Sequence, residues 1–208
     1  AQDLKTDEWG VDIMVGGSQK GLMLPPGLAF AGVSDKAWKR NETSKLPRFY
    51  FNFKKERENL VKNQTNFSSP VTLIIGLNEA IKMLQVEGLE NVFARHARLA
   101  NAAREAVKAL GLSLYSKESS SNAVTAIEMP EGIDGQAVYK TLREKYGVTG
   151  AGGQDKAKGK IYRLAHLGYS DTFDVITGIA ALEMTLKGMG ANIQLGKGVA
   201  KAQELLMR

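Results

Sequence analysis

No cysteine occurs in the 208 residues, so disulfide frameworks, cysteine-ligated zinc, iron–sulfur clusters and thiolate nucleophiles are excluded within this chain. With only two histidines, His96 and His166, no histidine-based metal site is expected. Long apolar runs are also missing: none reaches the ~18–20 residues of a membrane-spanning helix. The opening AQDLKTDEWGVD is too polar and acidic for a secretory signal, and the cytoplasm is the expected compartment. Internal repeats and low-complexity tracts are absent as well. What is there is ordinary for a folded protein, 43% hydrophobic and 24% charged residues, too apolar for a disordered chain. The first recognisable strand comes within a dozen residues, so a fragment of a longer chain is expected.

Acidic residues are outnumbered, 22 against 28 basic, giving a net charge of +6. Nearly all of the surplus lies between Asp35 and Lys62, where nine basic residues face four acidic ones and Trp38, Phe49, Tyr50, Phe51 and Phe53 are interleaved. Phosphate neutralisation and base stacking would use these residue types. A charged connector carrying a partly buried aromatic cluster reads the same way.

Val11–Val15 reads as a short buried strand leading into the glycine-rich turn Gly16-Gly-Ser-Gln-Lys-Gly21. Residues 22–34 read as a turn through Pro25-Pro26-Gly27 and a second strand, and 35–66 has no clean period. A largely buried helix is expected over 69–87, capped by Ser69 with Pro70 in its first turn. A second helix, Asn91 to Leu110, carries an apolar stripe at Phe93, Ala97, Ala100, Ala103, Val107 and Leu110, and Gly111 stops it. Downstream, strands (112–116, 122–129, 161–167) alternate with helices from an Asp134 cap to Tyr146 and from Asp171 to Lys187. A short tail helix is placed in 192–208.

Lys20, in its glycine-rich turn after a strand, is the residue with chemistry to explain. A P-loop needs a longer spacing before Gly-Lys and a Ser or Thr after it, whereas Gly21 follows here. The dinucleotide fingerprint fails on glycine spacing. A partly desolvated lysine beside amide donors suits a Schiff base; an exposed turn lysine is the plain alternative.

The stretch VDIMVGGSQKGLMLPPGLAFAGVSDKAW, with its S-Q-K triplet and following LPPG, resembles the lysine region of class V aminotransferases. These are pyridoxal-phosphate enzymes of the alanine–glyoxylate and serine–glyoxylate type, and some members are labelled as a soluble hydrogenase subunit. TNFSSPVTLIIGLNEAI and GKIYRLAHLGYSDTFDV are similar to further segments of that family, which extends the resemblance to about Gly190.

The resemblance implies the pyridoxal-phosphate-dependent transferase fold type I, an α/β fold of which this chain holds the end of the large domain and the small C-terminal α/β domain. On that reading 1–68 ends the large domain, 69–111 forms the linking helices, 112–190 the small domain and 191–208 a tail. Lys20 is then the catalytic Schiff-base lysine for pyridoxal 5′-phosphate. Gln19 and Ser18 donate hydrogen bonds to the cofactor phosphate. Thr65 and Ser68 reach the phosphate of the neighbouring subunit's cofactor in a homodimer with shared sites. Thr65 stands where the family often has tyrosine, and Ser68 also suits helix capping. Arg163 binds the substrate α-carboxylate through its two-pronged guanidinium. His166 reads as a packed core histidine.

Small amino acids and 2-oxo acids such as glyoxylate are the implied substrates; no metal, nucleic acid or membrane is implied. The family's pyridine-binding aspartate, ring-stacking residue and phosphate loop precede its lysine and are not in this sequence. The 208 residues alone are therefore expected to be inactive and to need that missing part. Cysteine desulfurases share the fold class, but their catalytic cysteine has no counterpart here. A non-catalytic subunit that retains the fold is the second reading.

Overall fold

The computed structural model describes residues 1–207. The chain divides after Val86: residues 3–86 form one unit, and residues from Glu87 on, with Ala1–Gln2, form the other.

In the first unit β1 (Ile13–Gly17) and β2 (Ala29–Val33) pair as an antiparallel hairpin, in register from Ile13 with Val33 to Gly17 with Ala29. Helix α1 (Asp35–Glu42) follows directly, because the Ser34 hydroxyl accepts from the Ala37 amide. The same hydroxyl donates to Asp12 at 2.7 Å, and Lys36 reaches the other Asp12 oxygen at 2.7 Å. Hydrogen bonds from Lys36 and then Ser34 hold the Asp12 carboxyl below its ordinary value. A second short helix, α2 (Phe53–Leu60), is capped by Asn52.

The charged stretch without a period is thus two helices with no buried residue. Such helices are set by their caps rather than by a core-facing stripe. The interleaved aromatics meet cations and each other: the Arg57 guanidinium lies 4.6 Å from the Trp38 ring centre, and Tyr50 stacks on Phe67 at 4.2 Å.

Helix α3 (Val71–Glu87) corrects two expectations. Ser69 does not cap it with its side chain; that hydroxyl pairs with Thr65 Oγ1 at 2.7 Å, and the Leu73 and Ile74 amides donate to the Pro70 carbonyl. Nor is the helix largely buried, since Ala80 is its one buried residue and Ile75 is 65% exposed. Its apolar residues surround the whole circumference, and only one face is covered: Leu73, Gly76, Leu77 and Leu84 are half-buried around Ala80, with Leu73 against Gly27 and Leu24 against Gly76.

The second unit has a core. Helix α4 (Leu89–Ala109) buries a wider face than the expected stripe, including Val92, His96, Leu99, Ala102, Ala103, Ala106 and Val107. It is followed by β3 (Val124–Glu128), α5 (Gly135–Tyr146), β4 (Ala151–Gly152), a 3₁₀ turn (Asp155–Ala157), β5 (Ile161–Ala165), α6 (Thr172–Gly188) and α7 (Lys197–Leu206). The three strands form an antiparallel sheet in the order β3-β5-β4. The expected strand at 112–116 shrinks to one bridge, Leu114 with Ile127, because the chain turns away through a run of serines that bond to its own backbone.

One face of the sheet carries Thr125, Ile127, Tyr162 and Leu164, all buried with Val138, Leu142, Ile179, Leu182 and Leu186 of the helices. Each such leucine or isoleucine contributes roughly 1.5–3 kcal/mol by leaving water. Caps fix the helix ends. Asp134 accepts from the Gln136 amide and Gly147 closes α5 at φ +68°, a left-handed value that glycine adopts without cost. Asp171 and Asp174 form a reciprocal capping box on α6. Helix α7 has no side-chain cap of its own; the buried Glu183 of α6 accepts from the amides of Gly196, Gly198 and Val199 at 2.6–3.0 Å.

Candidate active site

Between β1 and β2 the chain makes a loop, residues 18–28, that carries Lys20. Ser18 is completely buried at its start. The Ser18 hydroxyl donates to the Pro25 carbonyl at 2.7 Å and accepts from the Leu28 amide at 3.2 Å. Its amide donates to the Leu28 carbonyl, and its carbonyl accepts from the Leu24 amide. The hydroxyl hydrogen that the resemblance gave to a cofactor phosphate goes to Pro25. Gln19 is exposed and folds back over Gly17, where an added Cβ would lie 2.7 Å from Gln19 Oε1; glycine permits that approach. Lys20 is exposed, its carbonyl accepts from the Met23 amide at 3.0 Å, and no acidic group among the described residues pairs with its amine.

Thr65 and Ser68 lie before α3, both exposed. Thr65 Oγ1 donates to the Phe67 carbonyl and meets the Ser69 hydroxyl; no hydrogen bond among the described residues joins Thr65 or Ser68 to the lysine loop.

Arg163 belongs to the other unit. It sits mid-strand on β5, on the sheet face opposite the core, between Ala126 of β3 and Ala151 of β4. Two small neighbours flank its half-buried side chain. Its Nε donates to the Gly152 carbonyl at 3.0 Å, while neither Nη has a partner and no acid pairs with it among the described residues. This is a fork held at its stem with both prongs free. The sequence offered no signal for the Gly152 contact, since a backbone carbonyl carries no residue signature.

Both histidines are core residues. His166 Nδ1 faces the Asn122 carbonyl at 3.1 Å and Nε2 the Thr125 hydroxyl at 2.9 Å. Burial pushes its imidazole down to about 4, with Arg104 and His96 adding to the effect against the Asn122 hydrogen bond. His96 Nδ1 donates to the Val92 carbonyl and Nε2 accepts from the Gly168 amide; burial lowers its pKa as well. A carbonyl can only accept and an amide only donate, so the tautomer of His96 is fixed. Beside it Arg95 pairs with Glu87 at 2.6 Å and donates to the carbonyls of Gly168 and Ser170. Together the two α4 side chains hold the loop that follows the Arg163 strand.

The family model described as "Aminotransferase class-V" matches residues 1–167. The chain belongs to the class-V aminotransferase family. Its curated relatives in this family include the L-aspartate–glyoxylate aminotransferase of Paracoccus denitrificans, 45% identical over 98% of this chain and 52% of the relative. Another is the small subunit of a soluble hydrogenase from a Synechococcus strain, 43% identical over 99% of this chain and 54% of the relative. Among solved structures, the pyridoxamine-pyruvate aminotransferase of Mesorhizobium loti superposes with a TM-score of 0.93 at 31% identity, over 99% of this chain and 54% of that one. The chain thus spans about half the length of the relatives it matches. This class-V member has the pyridoxal-phosphate-dependent transferase fold type I, matched over about half of its structural neighbours' chains. No helix among the described residues is long and apolar enough to cross a membrane.

Proposed function

We propose that this chain serves a pyridoxal 5′-phosphate-dependent transaminase that moves an amino group from a small amino acid, such as alanine or serine, to glyoxylate or a related 2-oxo acid. The observation that carries the reading is Arg163, tethered at Nε with both Nη free, on a chain whose exposed Lys20 amine also lacks an acidic partner. The donor set fits the cofactor and substrate: an amine for an aldehyde, and a planar fork for a carboxylate. Pyridoxal 5′-phosphate, when bound, supplies that aldehyde and an electron sink for the substrate Cα. Lys20 Nζ would hold the aldehyde carbon and, as a free amine, would move a proton between the substrate Cα and that carbon. Arg163 Nη1 and Nη2 bind the substrate α-carboxylate and so set which bond at Cα faces the cofactor. Gln19 donates to the cofactor phosphate, and Thr65 and Ser68 serve the phosphate of a second subunit in a homodimer.

Borohydride reduction of the whole protein supplied with pyridoxal 5′-phosphate, followed by peptide mass mapping, tests this reading. The expected product carries a pyridoxyl group on Lys20 and is lost in Lys20→Ala. In the same protein Arg163→Lys is expected to raise KM for the amino acid by about 10- to 100-fold, the worth of a charged bidentate hydrogen bond. The kinship with soluble hydrogenase subunits favours a second reading, a non-catalytic subunit that keeps the fold. An unmodified Lys20 selects it and sinks the transaminase.

A further inference from the structure

We propose that Ser18 is a positioning residue, which fixes the backbone that carries Lys20, and not a donor to the cofactor phosphate. This rests on the role given to Lys20 above. Within residues 3–86 only two residues are buried, Ser18 and Ala80, and Ser18 is the polar one. Each of its polar groups is used. A hydroxyl has one hydrogen and two lone pairs; the hydrogen lies on the Pro25 carbonyl at 2.7 Å, and a lone pair takes the Leu28 amide at 3.2 Å. The main chain of Ser18 adds bonds to the Leu28 carbonyl at 3.1 Å and from the Leu24 amide at 3.2 Å. A phosphate dianion accepts hydrogen bonds, and Ser18 has no free hydrogen to give it.

These four bonds join the start of the loop to residues 24–28 and enclose Lys20 between them. Inside the enclosed segment the Met23 amide closes on the Lys20 carbonyl at 3.0 Å, and Met23 stands at φ +61°. A residue other than glycine keeps that left-handed backbone only where its surroundings enforce it. The clamp therefore fixes where the Lys20 Cα sits while its side chain stays free, which is the pre-organisation that a covalent nucleophile requires.

The experiment compares wild type with Ser18→Ala and Ser18→Cys in the whole protein. The thiol is a weaker donor of similar shape and gives a milder version should the alanine variant fail to fold. Amide hydrogen exchange at Leu24 and Leu28 is measured without cofactor. The rate of borohydride-trapped capture at Lys20 is measured separately with pyridoxal 5′-phosphate and with pyridoxal, which lacks the phosphate. Ser18→Ala is expected to speed exchange at Leu28 and slow capture of both aldehydes by the same factor, about tenfold for one lost hydrogen bond, with Ser18→Cys between. Slower capture of the phosphorylated aldehyde alone, with exchange unchanged, makes Ser18 a phosphate donor and overturns the proposal. Faster exchange with unchanged capture also overturns it, because the clamp then closes the loop without placing Lys20. If wild type captures neither aldehyde, the transaminase reading fails and the positioning role falls with it; the exchange data still report the clamp on their own.

Discussion

Residues 3–86 and residues 87–207 are comparably rich in apolar side chains, yet they use them in opposite ways. In the second unit Leu99, Ile127, Leu142, Tyr162, Ile179, Leu182 and Leu186 are all inaccessible to water. Within the first, Val15, Leu46, Phe49, Phe51, Leu60, Val61, Ile75 and Val86 are all exposed. The difference lies in complementary faces. Strands β3 and β5 alternate their side chains, and α4, α5 and α6 bring stripes that fit the inward set, whereas α3 is apolar around its whole circumference and has only one face, from Leu73 to Leu84, covered. Apolar content marks a segment as meant to be covered; it does not say by what.

The largest effects that test this contrast come from paired truncations. Leu182→Ala, in the closed core, is expected to cost about 2–5 kcal/mol of unfolding free energy. Ile75→Ala, already 65% exposed, is expected to cost less than about 1 kcal/mol in the same 208-residue chain. Equal losses in urea denaturation break the comparison, since Ile75 is then covered in solution.

Acid separates the two units next. The folded-state pKa of His166 lies below its unfolded value, so the unfolded chain takes up the proton first. The stabilisation is complete above about pH 6.5 and is lost as the pH falls to about 4, a change of ~3 kcal/mol. Asp12 in the first unit is shifted down from 3.8, so its contribution persists through that window and is lost only at lower pH. Both tryptophans, Trp9 and Trp38, belong to the first unit. Circular dichroism should therefore show acid weakening of the helical second unit while tryptophan emission stays constant down to about pH 4; loss of the two signals together goes against the assignment.

Smaller still is Glu183→Gln. The amide keeps one accepting oxygen but turns an NH₂ group toward a backbone donor and removes a charge at a helix start, for a loss of about 1–3 kcal/mol in thermal or chemical unfolding. At the low end, Thr65→Val on the exposed segment before α3 should stay within ~0.5 kcal/mol. A larger loss would show that the Thr65–Ser69 pair has a structural weight that its exposure hides.

Where a helix end has its own chemical marker, the sequence was readable. The Asp134 cap and Gly147 stop gave α5 its bounds, and Asp171 opened α6. Helices α1 and α2 escaped notice because neither buries a residue and so neither has an apolar period, although Ser34 and Asn52 were there as caps. Exposure of α3 was illegible because periodicity records which side chains are apolar and not what surface is at hand. Of the candidate site, Lys20 stands out by its glycine-rich turn after a strand, whereas Arg163 enters only through the resemblance. The bonds from Ser18 to Pro25 and Leu28, and from Arg163 to Gly152, depend on chain closure over seven to eleven residues. No single position encodes that closure.

Helix α7 has a consequence for anyone shortening this chain. Its opening amides rest on Glu183 of α6, and Arg98 of α4 donates to the Leu206 carbonyl at its far end. It has no autonomy: both of its ends are completed by side chains that lie earlier in the chain. Removing it would strand a carboxylate in the interior with two of its three partners gone, so a trim that looks harmless on the page would undermine the helix that is left behind.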